Sequence, residues 1–292
     1  QTVTQPGAGI DAVAVGDGDL QQRSWPNSFR GQFVAGGWEA VEAADLVGNA
    51  PRVAREAVAL LHAPDLPERV TTVVLDGQQL ALQLHESVGH PLELDRIFGT
   101  EAAYAGTSFV RPSDRGRLRY GSPAMSVTSD ATTPGGLGTF GFDDEGVPAQ
   151  RVPLVTGGVL EGFLTSRETA AALGTTSGGS MRADGWGSLP LIRMTNVNLE
   201  PGEGTLDDLV ADTADGLLLS VNRSWSIDDH RVNFQFGVEA AWEIRGGRLG
   251  RLYKNATYDG RTTDFWGSLD AVAGPGAWAV WGTPNCGKGQ PY

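Results

Sequence analysis

The sequence has a single cysteine, Cys286, and only four histidines in 292 residues. One thiol excludes an internal disulfide, so Cys286 is either an inert buried side chain or a reactive or ligating one. No apolar run approaches the roughly 20 residues needed to cross a bilayer, and the opening "QTVTQPGAGIDAVAVGDGD" lacks the basic-then-apolar layout of a secretion signal. The expectation is a soluble, cytoplasmic chain with no membrane partner. Without secretion, the sequons at Asn222 and Asn255 are chance matches. Positive charge is also scarce: 22 Lys and Arg face 35 Asp and Glu, for a formal net charge of -13. This excess is spread along the chain, which argues against binding to nucleic acid or anionic lipid. With 40% hydrophobic residues there is ample material for a large core.

Residues 1 to 48 alternate short apolar groups with Gly, Pro and Asp, a pattern of short strands and turns. Apolar residues then recur at helical spacing from Ala40 to His62, and Pro51, whose fixed φ suits a first turn, is expected to open a second helix. His62 falls near the end of that helix and reads as structural. "PERVTTVVLDGQQLALQLHESVGH" gives a β-branched strand (Val70 to Leu75), a turn at Asp76-Gly77 and an Ala/Leu/Gln-rich helix carrying two histidines. Beyond Pro91 the composition turns to Gly, Thr, Val and Pro. Stretches such as "RVPLVTGGVLEGFL", "LIRMTNVNL", "DGLLLSVNRSW", "NFQFGVEAAWEIRGG" and "AWAVWGT" read as strands, with turns at Gly157-Gly158 and Gly246-Gly247. "SRETAAALG" and "TLDDLVADTAD" are the later helix candidates. The class is α+β, with the larger part predominantly antiparallel β-sheet and a few helices.

"HESVGH" raises the question of a metal. A zinc-peptidase helix sets its histidines four apart, on one face, with a glutamate beside the first to activate water. His85 and His90 are five apart, which on an ideal helix at ~100° per residue separates them by about 140°. Gly89-His90-Pro91 offers a remedy, because a helix that ends or bulges there lets His90 swing back toward His85. The residues leave a metal site and a metal-free helix end both open. A third ligand is needed, and Cys286, Glu93, Asp95 and His230 are the candidates. Cys286 sits in "WGTPNCGKGQPY", a turn-rich tail in which the neighbouring Lys288 is expected to lower the thiol pKa. The same tail contains Gly-x-x-x-x-Gly-Lys, but Gly289 stands where a phosphate-binding loop needs Ser or Thr, so a nucleotide site is discounted.

"HESVGH" followed by "LELD", then "GFDDEGVPAQRVPLVTGGVLEGFL", "RMTN", "EPG", "NFQFGVEAAWEIRGG" and the terminal "PNCGKGQ" together resemble the TldD/PmbA family of metallopeptidases. The blocks occur in family order. The resemblance implies the metal-bearing TldD-type subunit, with Zn2+ held by His85, His90 and Cys286 and with Glu86 as the catalytic base. It implies a substrate peptide extended in a narrow channel, cleavage of peptide leaders or unfolded polypeptides, and assembly with a PmbA-type partner subunit or as a homodimer. One departure stands out: family members carry a substantial N-terminal α/β domain, and residues 1–66 resemble only its end, a partial α/β segment, so the resemblance implies a zinc-bearing catalytic domain over 67–292.

On that reading zinc supplies Lewis acidity and an activated water, while Glu86 takes and passes on the proton. Glu93 or Asp95 is expected to orient a ligand histidine. Arg193, Asn196 and Asn233, on the strands "LIRMTN" and "NFQFG", are candidate substrate-binding residues that could equally belong to core strands. Arg193 interrupts an apolar run and needs a partner, either a carboxylate of the protein or a peptide terminus. His230, beside two aspartates, reads as a solvated loop residue. Two competing readings remain, a non-catalytic peptide-binding or partner subunit and a zinc amidase acting on a small biosynthetic intermediate.

Overall fold

Two 13-residue strands, Asp215–Ile227 and Asn233–Arg245, pair antiparallel and carry the larger sheet. The turn between them is set by Asp228, whose carboxylate accepts from the backbone N–H groups of His230, Val232 and Asn233. "GLLLSV" lacks the usual apolar-polar alternation because that half of the strand is covered on both faces. Leu217 and Leu219 pack with Val238, Ala241 and Tyr253, while Leu218 packs on the other face with Val74, Val210 and Ile244. Arg248–Tyr253 and Thr257–Arg261 add antiparallel partners, and Thr72–Leu75 adds a parallel strand at the opposite edge. A second, four-stranded antiparallel sheet has the order Asn196–Leu199, Val127–Asp130, Arg151–Thr156, Val159–Leu160. The α+β class expected from the sequence holds in this computed structural model, which describes residues 2–16 and 18–288. No helix among the described residues is long and apolar enough to cross a membrane.

The histidine segment runs through the main core. Leu84, Val88, Leu92 and Leu94 pack there against Tyr120, Met125, Leu154, Leu160 and Trp266. The hairpin Ile10–Gly16/Asp19–Trp25 and the helix Leu46–His62 pack together at the N-terminal side. They are tied to the larger sheet by the buried Glu239, which accepts from the Ser24 N–H (2.8 Å), the Ser24 hydroxyl (2.6 Å) and the Arg23 guanidinium (3.3 Å).

Three local expectations need correction. Pro51 does not open a helix but lies inside Leu46–His62, which begins after Asp45 and its side-chain cap on the Gly48 N–H. The bond that Pro51 cannot make is the one to the carbonyl of Val47, an exposed residue in the first turn, so water can serve that carbonyl. "AWAVWGT" forms no strand, because its polar groups meet the side-chain amide of Gln32 rather than a ladder: Gln32 Nε2 donates to the Val280 carbonyl and Gln32 Oε1 accepts from the Gly282 N–H. A short helix, Thr262–Gly267, was not anticipated.

Candidate metal centre

The helix that presents the histidines starts at Asp76, whose Oδ1 accepts from the Gln79 N–H at 2.9 Å, and runs over Gly77–Leu84. At His85–Gly89 the backbone switches to a π-turn in which the His90 N–H bonds the His85 carbonyl. This i→i+5 bond stacks residues five apart, as i→i+4 stacks residues four apart, and so removes the angular misfit of an ideal helix. Side chains support the widened turn at Ser87. Tyr120 Oη donates to the Ser87 carbonyl (2.6 Å), Trp266 Nε1 donates to Ser87 Oγ (2.9 Å), and Ser87 Oγ donates to the Gln83 carbonyl (2.5 Å). Gly89 packs closely on Met194, since a Cβ there would lie 2.0 Å from Met194 Sδ and the methionine side chain would have to move. Pro91 then sits in a short 3-10 turn, His90–Leu92.

The two imidazoles stand edge to face, with ring centroids 4.6 Å apart and planes at 83°. Cys286 reaches them from the far end of the chain: its Sγ lies 3.3 Å from His85 Nε2 and 3.4 Å from His90 Nε2. One ligand atom from each of the three falls within 4.8 Å of the others. In a tetrahedral zinc site, bonds of about 2.0–2.1 Å to nitrogen and 2.3 Å to sulfur put N and S about 3.5 Å apart. Both nitrogen–sulfur separations therefore suit one zinc-sized ion, and two imidazoles with a thiolate are a donor set that zinc accepts.

Electrostatics favour a thiolate here. Burial by itself would raise the Cys286 pKa, but His85 and His90 outweigh it and bring the thiol down to about 5. For His90, burial favours the neutral ring, yet the Glu93 carboxylate and the Cys286 sulfur raise its pKa to about 9. Lys288 does not act on the thiol as the sequence suggested. Its buried ammonium instead donates to Asp95 Oδ1 (2.8 Å) and to the Ile192 carbonyl (2.7 Å), and lies 3.3 Å from Glu93 Oε2.

Glu93 is fully buried and its Oε2 is the hub of the surroundings. It meets His90 Nδ1 at 3.0 Å, Arg96 Nη2 at 3.1 Å and Lys288 Nζ at 3.3 Å. Burial opposes ionisation, but His90, Lys288 and Arg96 together hold the carboxyl well below its usual range. Asp95 touches neither histidine: it accepts from Lys288 and from the Arg96 N–H, so of the two candidates Glu93 is the one against a ligand ring.

Glu86 is paired with Arg231, Nη1 to Oε2 at 2.6 Å. Sequence reasoning missed Arg231, which carries a positive φ of 63° beside the Asp228 turn. It also missed the anchoring role of Lys288 and the bracing by Tyr120 and Trp266, and no spacing signal marks any of these. Arg193 Nη2 donates to the Cys286 carbonyl. Asn196 faces the same groove, where its Oδ1 accepts from the Gly138 N–H and its Nδ2 donates to the Asp130 carbonyl. Asn233 holds Asp228 through its amide and does not line the groove. His230 is bonded to Thr107 Oγ1 away from the trio, and His62 ends its helix. The groove itself reaches His85 and Cys286, is bordered by the Thr72–Leu75 strand, and encloses about 2260 Å³.

Comparison with known proteins places these features in context. Residues 67–285 match the family domain described as PmbA/TldA metallopeptidase C-terminal domain. The chain is 32% identical over 216 residues to Metalloprotease MJ0996 of Methanocaldococcus jannaschii, covering 74% of this chain and 46% of that protein. It is 33% identical over 236 residues to Metalloprotease slr0863 of Synechocystis, covering 81% and 49%. The Zinc metalloprotease TldD homolog of Saccharolobus solfataricus is 24% identical over 206 residues, covering 69% and 43%. The chain thus spans about half the length of the curated relatives it matches. Among solved structures, TldE from Thermococcus kodakarensis superposes with a TM-score of 0.68 at 16% identity, over 92% of this chain and 58% of that one. At that identity the likeness speaks for the fold alone.

Proposed function

Because the chain belongs to the PmbA/TldA metallopeptidase family, we propose that it is a zinc-dependent peptidase acting on extended or unfolded peptides, in leader-peptide removal or protein degradation. The observation that carries this reading is the meeting of His85, His90 and Cys286, residues 196 and 201 positions apart in sequence, around a point that suits one ion. When bound, zinc supplies Lewis acidity and an activated water.

The chain's own residues divide the remaining work. The Glu93 carboxylate accepts from His90 Nδ1–H, which fixes the tautomer and turns Nε2 toward Cys286. Arg231 grips Glu86 through Oε2. That leaves Oε1 to take a proton from the attacking water and pass it to the leaving amine. The groove beside the ligands is larger than the roughly 300–1,000 Å³ of a small-molecule pocket, which favours a polymeric substrate over a small amide. The reading also places a domain boundary near residue 66, where the matched family domain begins at 67. It includes a cytoplasmic location and a PmbA-type partner subunit or a second copy of this chain.

Mass spectrometry of an unfolded peptide incubated with the zinc-loaded chain tests this proposal. Cleavage should stop with a chelator and fall by about 10²- to 10⁴-fold in Glu86→Gln, the range expected for a lost general base. Cleavage by Glu86→Gln at the wild-type rate would rule out the role given to that residue.

A further inference from the structure

Three arginines line the groove without an ion pair among the described residues: Arg69, whose Nη2 donates to the Gly216 carbonyl, and the neighbours Arg182 and Arg193. Arg182 and Arg193 lie on and just beyond the short antiparallel pair Met181–Arg182 and Leu191–Ile192, with Arg182 opposite Leu191 and the Arg193 N–H bonded to the Ser180 carbonyl at 2.7 Å. Both side chains line the groove together with His85 and Cys286. Arg23, Arg96 and Arg231, which are buried or half-buried, each hold a carboxylate, whereas the half-buried Arg193 and the exposed Arg182 hold none among the described residues. Among the described residues, no Asp or Glu oxygen lies within 4.0 Å of Arg182 or Arg193.

Each guanidinium is instead steered by a single backbone carbonyl, Arg182 Nη1 by Met194 (3.2 Å) and Arg193 Nη2 by Cys286. A guanidinium has five N–H donors, so most of each fork remains available. The neighbouring Asp144 carboxylate is engaged by the Ala183 N–H at 2.7 Å. Partial desolvation of the guanidinium and the like charge of Arg193 lower the Arg182 pKa, against the opposing pull of Cys286, Asp144 and Glu93. No carboxylate pairs directly with either guanidinium among the described residues, and a ligand carboxylate between them offsets their mutual repulsion while matching the planar fork geometry.

We propose that Arg182 and Arg193 form a subsite for a carboxylate of the bound peptide, next to the metal ligands, so that the preferred substrates carry a free C-terminus or an acidic side chain close to the scissile bond. The inference rests on the peptide-binding part of the function proposed above. It runs against the overall charge of -13, which disfavours acidic ligands everywhere else on the surface.

The test is fluorescence anisotropy on the full chain carrying Glu86→Gln, so that peptides bind uncut. Four fluorescein-labelled peptides differ in one group each: a free or amidated C-terminus, and an internal Glu or Gln. At least one carboxylate form should bind about tenfold more tightly than its neutral twin, a ratio typical of a charge-assisted contact. The pair that shows the difference identifies the source of the carboxylate. Arg182→Gln should erase the preference and Arg182→Lys should retain part of it, with an unchanged circular-dichroism spectrum and thermal midpoint as the folding control. Arg193 is avoided because it also touches the Cys286 carbonyl. Equal binding of all four peptides, binding of none, or a preference that survives Arg182→Gln would overturn the proposal. Peptide cleavage by wild type without a carboxylate preference would sink the subsite alone, whereas a carboxylate preference without any cleavage would sink the peptidase reading and leave the subsite standing.

Discussion

His90 and Cys286 set the pH behaviour of the candidate centre. In the metal-free protein, between about pH 5 and about pH 9, His90 carries a proton and Cys286 is a thiolate. Zinc needs both in their deprotonated forms, so binding in this window releases the His90 proton. The sign follows directly: affinity rises by up to about tenfold per pH unit from 5 to 9, levels off above 9, and falls more steeply below 5, where the thiol must also lose a proton. Competition with a chromophoric chelator at a series of pH values measures this, and an affinity that is flat from pH 6 to 8 would contradict it. His85, Glu86, His90 and Cys286 were all legible as candidates because they are chemically scarce residues in a tight pattern. Arg231 was not, because an arginine in a turn looks solvated until the fold brings Glu86 against it.

At the level of elements, the π-turn over His85–Gly89 makes the five-residue spacing workable. The sequence pointed to a break through Gly89 and Pro91, but it could not say that the break would be a widened turn rather than a helix end. That outcome depends on Tyr120 and Trp266, which are 33 and 179 residues from Ser87. The close packing of Gly89 on Met194 yields a prediction. Gly89→Ala should cost about 1–3 kcal/mol, the usual range for overpacking, because its Cβ meets Met194 Sδ. The double variant Gly89→Ala/Met194→Ala should cost less than the sum of the single changes. Urea denaturation reads both, and strictly additive costs would mean that the contact is not what excludes a side chain at 89. The misreading of Pro51 has a comparable origin: a proline near the start of a helix loses only one bond, to an exposed carbonyl, so helical periodicity prevails over the local signal.

Across the whole molecule, the C-terminal tail brings Cys286 to the candidate centre, and Lys288 fixes the tail. Its ammonium lies among Glu93, Asp95 and the Ile192 carbonyl, two residues from the thiol that meets the histidines. Lys288→Met leaves two buried carboxylates short of a cation, and a loss of about 3–5 kcal/mol is expected for breaking such a pair from one side. Zinc affinity should fall with it, because the tail loses an anchor two residues from Cys286, and unchanged stability and affinity would dismiss this role. The alternation and turn signals were enough to read the α+β class, since they reflect local burial. The approach of the tail to the histidine turn was not legible from residue patterns, because nothing local to Cys286 specifies a partner about two hundred residues away. The central claim is that these three side chains hold one zinc ion. Elemental analysis of zinc in the wild-type chain and in Cys286→Ser, after dialysis against a weak chelator, tests it most directly. The account predicts about one zinc per wild-type chain and little in the variant. Equal zinc in both, or none in either after zinc loading at pH 8, would contradict it.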